Sequence, residues 1–193
     1  MDAIVRSWIV QILEEHLSLI AIALRQRAKF EGWLKFELAS MAERHGAQDV
    51  EVEASPVRGS SLSKSDLALR FEGIRYDVEL KTSNTNWRIP GVLSRTRPIT
   101  LNIAGIVRDA KKLRETSKNG LVAFVLFPIP PRDRRWLEYL ERIANELSIP
   151  LKEEEHSSRL RIPLGGGNEA DLIVATFPVS GSFNDRVQGS LGN

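Results

Sequence analysis

The chain has 193 residues, of which 42% are hydrophobic and 27% charged, a composition typical of one soluble globular domain. It has no cysteine, which excludes disulfides, thiolate metal sites and cysteine nucleophiles, and its net charge of +2 leans only slightly toward polyanionic partners. The longest apolar run near the start, 17–24, is far shorter than the ~20 residues that cross a bilayer. Glu14 and Glu15 interrupt the segment before it, which argues against a signal peptide. The sequence therefore predicts no membrane span and a cytoplasmic protein.

Two helices are predicted first. Apolar residues at helical spacing indicate one helix over 2–28 and a second over 30–45, which Gly46 ends. The apolar arc of the first helix is wide. This N-terminal arm is therefore expected either to pack on the body or to form a homodimer with a second copy.

The hydrophobic period then changes to two, which is typical of strands. A tight turn is predicted at Glu72-Gly73, and a polar Gly/Ser/Pro loop at 55–64. The three strands should form an antiparallel meander, with bounds at 49–54, 66–71 and 75–81.

The second half alternates helices and strands after an irregular polar connection over 82–100. Amphipathic spacing predicts two helices, at 103–116 and 132–147. Apolar or alternating runs predict three strands, at 121–127, 159–164 and 171–177. We expect an α/β fold in which helices flank a mixed sheet. The predicted organisation is a helical arm at 1–28, one domain at 29–178 and a flexible tail at 179–193.

Acids and a lysine should meet at one end of the predicted hairpin. Pairing outward from the turn places Asp66 near the level of Glu79 and Lys81, and the last two share the polar face of their strand. Two neighbouring carboxylates repel each other unless a cation lies between them. Mg²⁺ or Mn²⁺ with retained waters would remove that repulsion, and the lysine would offset charge on a reacting phosphate. These are the parts needed to hydrolyse a phosphodiester.

The helix before the sheet adds a further acid. On a helical wheel for 30–42, Glu37 falls near the middle of the apolar arc, whereas Glu31 lies at its edge and is a weaker candidate. A carboxylate among apolar residues is costly unless it meets a metal, a lysine or a hydrogen-bond network. The alternative is that Glu37 reaches solvent or pairs with an arginine.

Asp66 followed across a hairpin by Glu79-Leu80-Lys81 resembles the signature of the PD-(D/E)xK nucleases, the restriction-endonuclease-like superfamily. The resemblance spans roughly residues 30–127, although Ser65 stands where the motif has proline. It implies a core of helix, three antiparallel strands, helix and parallel strand. It also implies metal-dependent cleavage of DNA, with Asp66 and Glu79 as metal ligands and Lys81 as the catalytic lysine. Glu37 would be the helix acid that completes the metal or water shell.

Basic residues are concentrated after the motif. Residues 86–118 contain eight Lys and Arg against two acids, and we identify Asn86, Arg88, Lys111 and Lys112 as candidates for binding the phosphate backbone. The alternative is a solvated helix face after a plain polar loop.

The function predicted is therefore a divalent-metal-dependent endonuclease that acts on DNA. The competing hypothesis is a nucleic-acid-binding or assembly module that keeps the fold without turnover.

Overall fold

The computed structural model describes residues 1–54, 64–94 and 98–179. The predicted loop at 55–64 and the predicted tail at 179–193 lie outside these residues, except for Lys64 and for Val179, which ends the last strand. The helices are α1 (Asp2–Glu15), α2 (Leu17–Gln26), α3 (Glu31–Arg44), α4 (Ile99–Thr116), α5 (Leu137–Leu147) and α6 (Glu153–His156). The strands are β1 (Gln48–Ala54), β2 (Ser65–Phe71), β3 (Ile74–Asn84), β4 (Gly120–Ile129), β5 (Ser157–Gly165) and β6 (Asn168–Val179).

The six strands form one mixed sheet in the order β1-β2-β3-β4-β6-β5. Among the strands of the described residues, only β3 and β4 are parallel neighbours, and α4 makes the crossover between them. All other neighbouring strands are antiparallel. The predicted α/β class, with helices flanking a mixed sheet, is confirmed.

The β2–β3 hairpin has the register that its turn predicts. Glu72 and Gly73 adopt φ values of 49° and 78°, the left-handed conformations that a two-residue hairpin turn requires. The ladder then runs from Phe71–Ile74 to Leu67–Val78. This pairing brings Asp66 to the level of Glu79.

Two helical layers cover the sheet. The face that carries Val78 and Leu80 packs against α1, α2 and α3, whereas α4 and α5 cover the opposite face. Strand β4 is buried on both faces, with Val125 in one core and Phe124 in the other. This burial explains its continuous apolar sequence.

The single helix predicted over 2–28 is wrong. The segment forms α1 and α2, whose axes meet at 89° around His16. Both helices bury apolar side chains against the sheet beside α3, while Leu19 and Ile22 remain exposed on α2. In the described part of the chain no single helix is long and apolar enough to cross a membrane, and only the bent α1–α2 pair approaches the required length.

Two predicted helix starts are also wrong. Helix α4 begins at Ile99 rather than 103, directly after Pro98, whose extended backbone precedes its first turn. Helix α5 begins at Leu137 rather than 132, because Arg132 has a positive φ of 64° and the Asp133 carboxylate accepts a hydrogen bond from the backbone N–H of Arg135. The Asp133 carboxylate thus gives the N–H of Arg135 a hydrogen-bond partner before the helix begins.

Candidate active site

A gap in the sheet forms where β2 leaves β3. Beyond the Leu67–Val78 pair, two N–H groups of β3 that face β2 bind carboxylates instead of strand carbonyls. Leu80 N donates to Asp66 Oδ2 over 2.9 Å, and Thr82 N donates to Glu31 Oε2 over 2.9 Å. The end of the ladder thus fixes one acid from β2 and one from α3.

The Lys81 ammonium lies among three carboxylates. Its Nζ is 3.1 Å from Asp109 Oδ2 on α4, 3.4 Å from Glu79 Oε1 and 3.9 Å from Glu31 Oε1. Burial alone would lower the pKa of Lys81, but the charges of Glu31, Glu79 and Asp109 raise it above its usual value. Lys81 therefore remains charged across the physiological pH range.

Glu79 is the acid of this cluster whose pKa is clearly raised. Burial, followed by the negative charge of Asp66, raises its pKa to about 7 even though Lys81 acts in the opposite direction. The charge of Asp109 adds to the rise. Glu79 would be stabilised as a carboxylate by any further positive charge brought to this gap.

A second ammonium approaches from α3. Lys35 Nζ lies 2.9 Å from Asp66 Oδ1 and 3.5 Å from Glu53 Oε1. Burial opposes the charge of Lys35, but its hydrogen bond to Asp66 and the neighbouring negative charges raise its pKa. Within the described residues, the cluster thus sets four acids (Glu31, Asp66, Glu79 and Asp109) against two lysines (Lys35 and Lys81).

Three of the predicted catalytic residues lie together in this cluster: Asp66, Glu79 and Lys81. Glu37 does not, and it makes no hydrogen bond or ion pair with any residue that the structure describes. Glu31 and Lys35 are four residues apart and share the face of α3 that reaches the gap, whereas Glu37 projects from another face. Glu31 occupies the place that the sequence had predicted for Glu37.

The surplus of acid and the all-oxygen donor set fit a hard divalent cation. Among the described residues no three acidic or histidine side chains converge as a preformed metal cage. Mg²⁺ commonly takes only one or two carboxylates and completes its shell with water and substrate phosphate. Asp66 and Glu79 are suited to that role, since the charge of Asp66 already raises the pKa of Glu79.

A small pocket lies between Glu79 and α4. Its lining includes Glu79 and Asp109 together with Lys64 and Lys112. Asp77 is buried on the wall of this pocket, where its Oδ2 accepts a hydrogen bond from Ser117 Oγ over 2.7 Å. The pocket lining thus combines acids with lysines.

The predicted nucleic-acid-binding residues are all exposed, but only one of the four lines this pocket. Lys112 lines it, and Lys111 is exposed on the adjacent face of α4. Asn86 and Arg88 are exposed in the connection after β3. No acid in the described residues forms an ion pair with either lysine or with Arg88.

Trp87 covers the core rather than standing free. Its ring lies 6.0 Å from that of Tyr139, and the Arg135 guanidinium lies 5.0 Å from the indole centroid. Both partners come from the start of α5 and the turn before it. The indole of Trp87 therefore packs against the core that α4 and α5 form with the sheet.

Arg27 at the end of α2 holds the same connection. Its buried guanidinium donates to the carbonyl oxygens of Thr85 and Trp87, and over 2.6 Å to that of Leu93. In return, Asn84 Nδ2 donates to the Arg27 carbonyl over 3.0 Å. The N-terminal helices thus position the segment that follows Lys81 in the chain.

Comparison with known proteins gives no matching family model, no matching curated protein and no matching solved structure. The fold and site define an α/β protein with an acid-and-lysine cluster at a gap between two strands of its sheet.

Proposed function

We propose that the chain is a divalent-metal-dependent endonuclease that hydrolyses phosphodiester bonds in DNA. The observation that carries this proposal is the meeting of Asp66, Glu79 and Lys81 at the sheet gap, in a cluster with more acids than lysines. The order α3-β1-β2-β3-α4-β4, with β4 parallel to β3, also matches the core expected of a restriction-endonuclease-like fold.

Asp66 and Glu79 would hold the ion, which we expect to be Mg²⁺ or Mn²⁺. When bound, such an ion polarises a phosphoryl oxygen and lowers the pKa of a coordinated water. Lys81 would place its fixed positive charge beside the reacting phosphate and offset the charge that develops there. Asp109 and Glu31 keep the Lys81 ammonium at this position, since both lie within 4.0 Å of its Nζ.

The substrate phosphates would bind on the basic side of the pocket. Lys112 lines the pocket beside Glu79, and it is the predicted DNA-binding residue placed best to position a scissile phosphate. Lys111, Asn86 and Arg88 would contact phosphates further along the backbone, because all three are exposed. Contacts of lysine and arginine with phosphates release bound counterions, so the affinity should fall as the salt concentration rises.

The proposal is tested by incubating supercoiled plasmid with the protein and Mg²⁺ or Mn²⁺. We expect nicked and linear products from the wild type, and none with EDTA, with Asp66→Asn or with Lys81→Met. Two matched controls, Glu43→Gln at the exposed end of α3 and Lys29→Met before that helix, should cleave as the wild type does. Linear duplex, single-stranded DNA and RNA on the same gel define the substrate.

Cleavage that persists in Asp66→Asn and Lys81→Met would remove the support for this site. Absence of cleavage by the wild type, with a gel shift of the same plasmid that Lys112→Ala weakens, would favour the binding-only module instead. Absence of both cleavage and binding would contradict both functions.

A further inference from the structure

The Asp66 carboxylate already has a donor at each oxygen. Lys35 Nζ lies 2.9 Å from Oδ1, and Leu80 N lies 2.9 Å from Oδ2. The Lys35 and Asp66 side chains are only 12% and 16% exposed, so solvent screens this ion pair weakly. A metal ion that uses Asp66 must therefore displace or repel a buried ammonium.

Lys35 has a second carboxylate within reach. Glu53 Oε1 on β1 lies 3.5 Å from the same Nζ, and the Glu53 side chain is 62% exposed. Lys35 can thus give up Asp66 and keep an ion pair outside the cluster. Lys81 lacks such an exit, because its carboxylate partners Glu31, Glu79 and Asp109 all belong to the cluster.

We infer that Lys35 is a built-in counter-cation of Asp66 that sets the metal affinity of the site and moves to Glu53 when the ion binds. This inference rests on the proposed function and adds how metal occupancy is controlled. Lys35 acts through Asp66, and is therefore a positioning residue. One unit charge at this distance typically changes the proton affinity of a carboxyl by a factor of about 10–1,000. The charge of Lys35 should therefore lower the affinity of the site for a divalent ion by at least about tenfold.

Metal binding measured without DNA tests the inference. Mg²⁺ and Mn²⁺ are titrated calorimetrically into the wild type, Lys35→Met and Lys35→Arg, and free Mn²⁺ is followed by electron paramagnetic resonance. We expect Lys35→Met to bind both ions about tenfold more tightly, because the methionine keeps the aliphatic stem but not the charge. Lys35→Arg keeps the charge and should bind as the wild type does. Lys35→Gln is a second uncharged variant, and circular dichroism checks that each protein is folded.

Glu53→Gln tests the proposed movement of Lys35. Without its exit, the lysine should stay on Asp66, so metal affinity should fall by about threefold, as expected for loss of a partly exposed ion pair. In the Lys35→Met background the same change should have a smaller effect, since no ammonium remains to be moved.

The outcomes separate the two claims. Metal binding by the wild type that is unchanged or weaker in Lys35→Met and Lys35→Gln would overturn the role of Lys35 and leave the proposed function standing. Absence of binding by the wild type and by both uncharged variants would overturn the metal site and the inference together. Binding by Lys35→Met that is tighter than that of the wild type would support both.

Discussion

Glu79 is the residue at which folding and the proposed activity conflict. It is a largely buried acid beside Asp66 and Asp109, and its pKa in the folded protein is about 7 against an ordinary value of 4.5. Between these values Glu79 binds more protons in the folded state than in the unfolded state. The contribution of Glu79 to the stability of the protein therefore falls as pH rises from 4.5 to 7. A site built to bind a cation is expected to carry such a cost when the cation is removed.

Glu79→Gln should remove this pH dependence. In EDTA, we subtract the free energy of unfolding of the wild type from that of the variant at each pH. This difference should increase by about 2 kcal/mol from pH 5.5 to pH 8, because the wild type loses stability over this range and the variant does not. Urea denaturation at the two pH values measures the difference. Mg²⁺ at pH 8 should stabilise the wild type and have little effect on Glu79→Gln, because the variant lacks one of the two carboxylates.

Glu43→Gln is the control for this measurement, since Glu43 is exposed at the far end of α3 from Glu31. Its unfolding free energy should stay parallel to that of the wild type across the same pH range. A difference between Glu79→Gln and the wild type that does not change with pH would contradict the electrostatic account of Glu79.

The central residues of the site could be predicted from sequence because they depend on one hairpin. The turn at Glu72-Gly73 and the period-two pattern determine the register, and the register brings Asp66 to Glu79. Glu31, Lys35 and Asp109 reach the cluster from helices, and the angle at which a helix packs on a sheet is not encoded in a local pattern. A helical wheel shows where the apolar arc of α3 lies, but it does not show which part of that arc faces the sheet gap. The wheel therefore favours Glu37, whereas the packing of α3 places Glu31 at the gap.

At the scale of elements, most helices and strands were predictable and their ends were not. The elements themselves follow from long periodic segments, whereas their ends depend on single backbone bonds, such as that from Asp133 to the N–H of Arg135. The break at His16 was missed because an apolar arc on both sides of it continues at helical spacing. The connection after β3 was predicted as irregular, but Arg27, which holds it, is far away in sequence.

Arg27 should therefore be essential for the stability of that connection. Arg27→Ala removes the donor to the carbonyls of Thr85, Trp87 and Leu93. The loss at the buried Thr85 carbonyl costs about 1–3 kcal/mol, and the loss at each of the two part-buried carbonyls about 0.5–1.5 kcal/mol. We expect a loss of about 3 kcal/mol or more in the free energy of unfolding, measured by urea denaturation with tryptophan fluorescence. Arg27→Lys should recover only part of it, because an ammonium does not have the planar fork of the guanidinium.

The matched control is Arg44→Ala at the exposed end of α3, which should change the free energy of unfolding by less than about 0.5 kcal/mol. A loss below about 1 kcal/mol in Arg27→Ala would mean that Arg27 does not hold the connection.

At the scale of the whole molecule, the first 28 residues belong to the body of the protein. Helices α1 and α2 share one hydrophobic core with α3 and the sheet, and Arg27 joins them to the segment that follows Lys81. The sequence left two interpretations open for this wide apolar arc, and the observed burial favours packing for most of it. Ile4 on α1 and Leu17, Leu19 and Ile22 on α2 remain exposed, and the three on α2 offer a surface for a homodimer.

Deletion of residues 1–28 should consequently abolish folding instead of yielding a folded monomer. Each large apolar side chain that is buried contributes ~1.5–3 kcal/mol, so the seven on these helices together supply at least about 10 kcal/mol, comparable to the total stability of a typical domain. The seven side chains are Val5, Trp8, Ile9, Ile12, Leu13, Ile20 and Leu24. We expect the truncated chain to show no cooperative thermal transition, and to be aggregated in size-exclusion chromatography with light scattering.

Ile22→Ser separates packing from dimerisation in the same measurements, because Ile22 is 47% exposed and its replacement should leave the fold intact. If the exposed face of α2 joins two copies, this variant should elute as a folded monomer while the wild type elutes as a dimer. If both elute at the same mass, residues 1–28 act only within one chain. A truncated chain that remains folded and monomeric would show that α1 and α2 are an accessory arm, and that the sheet is stable with one of its helical layers reduced to α3.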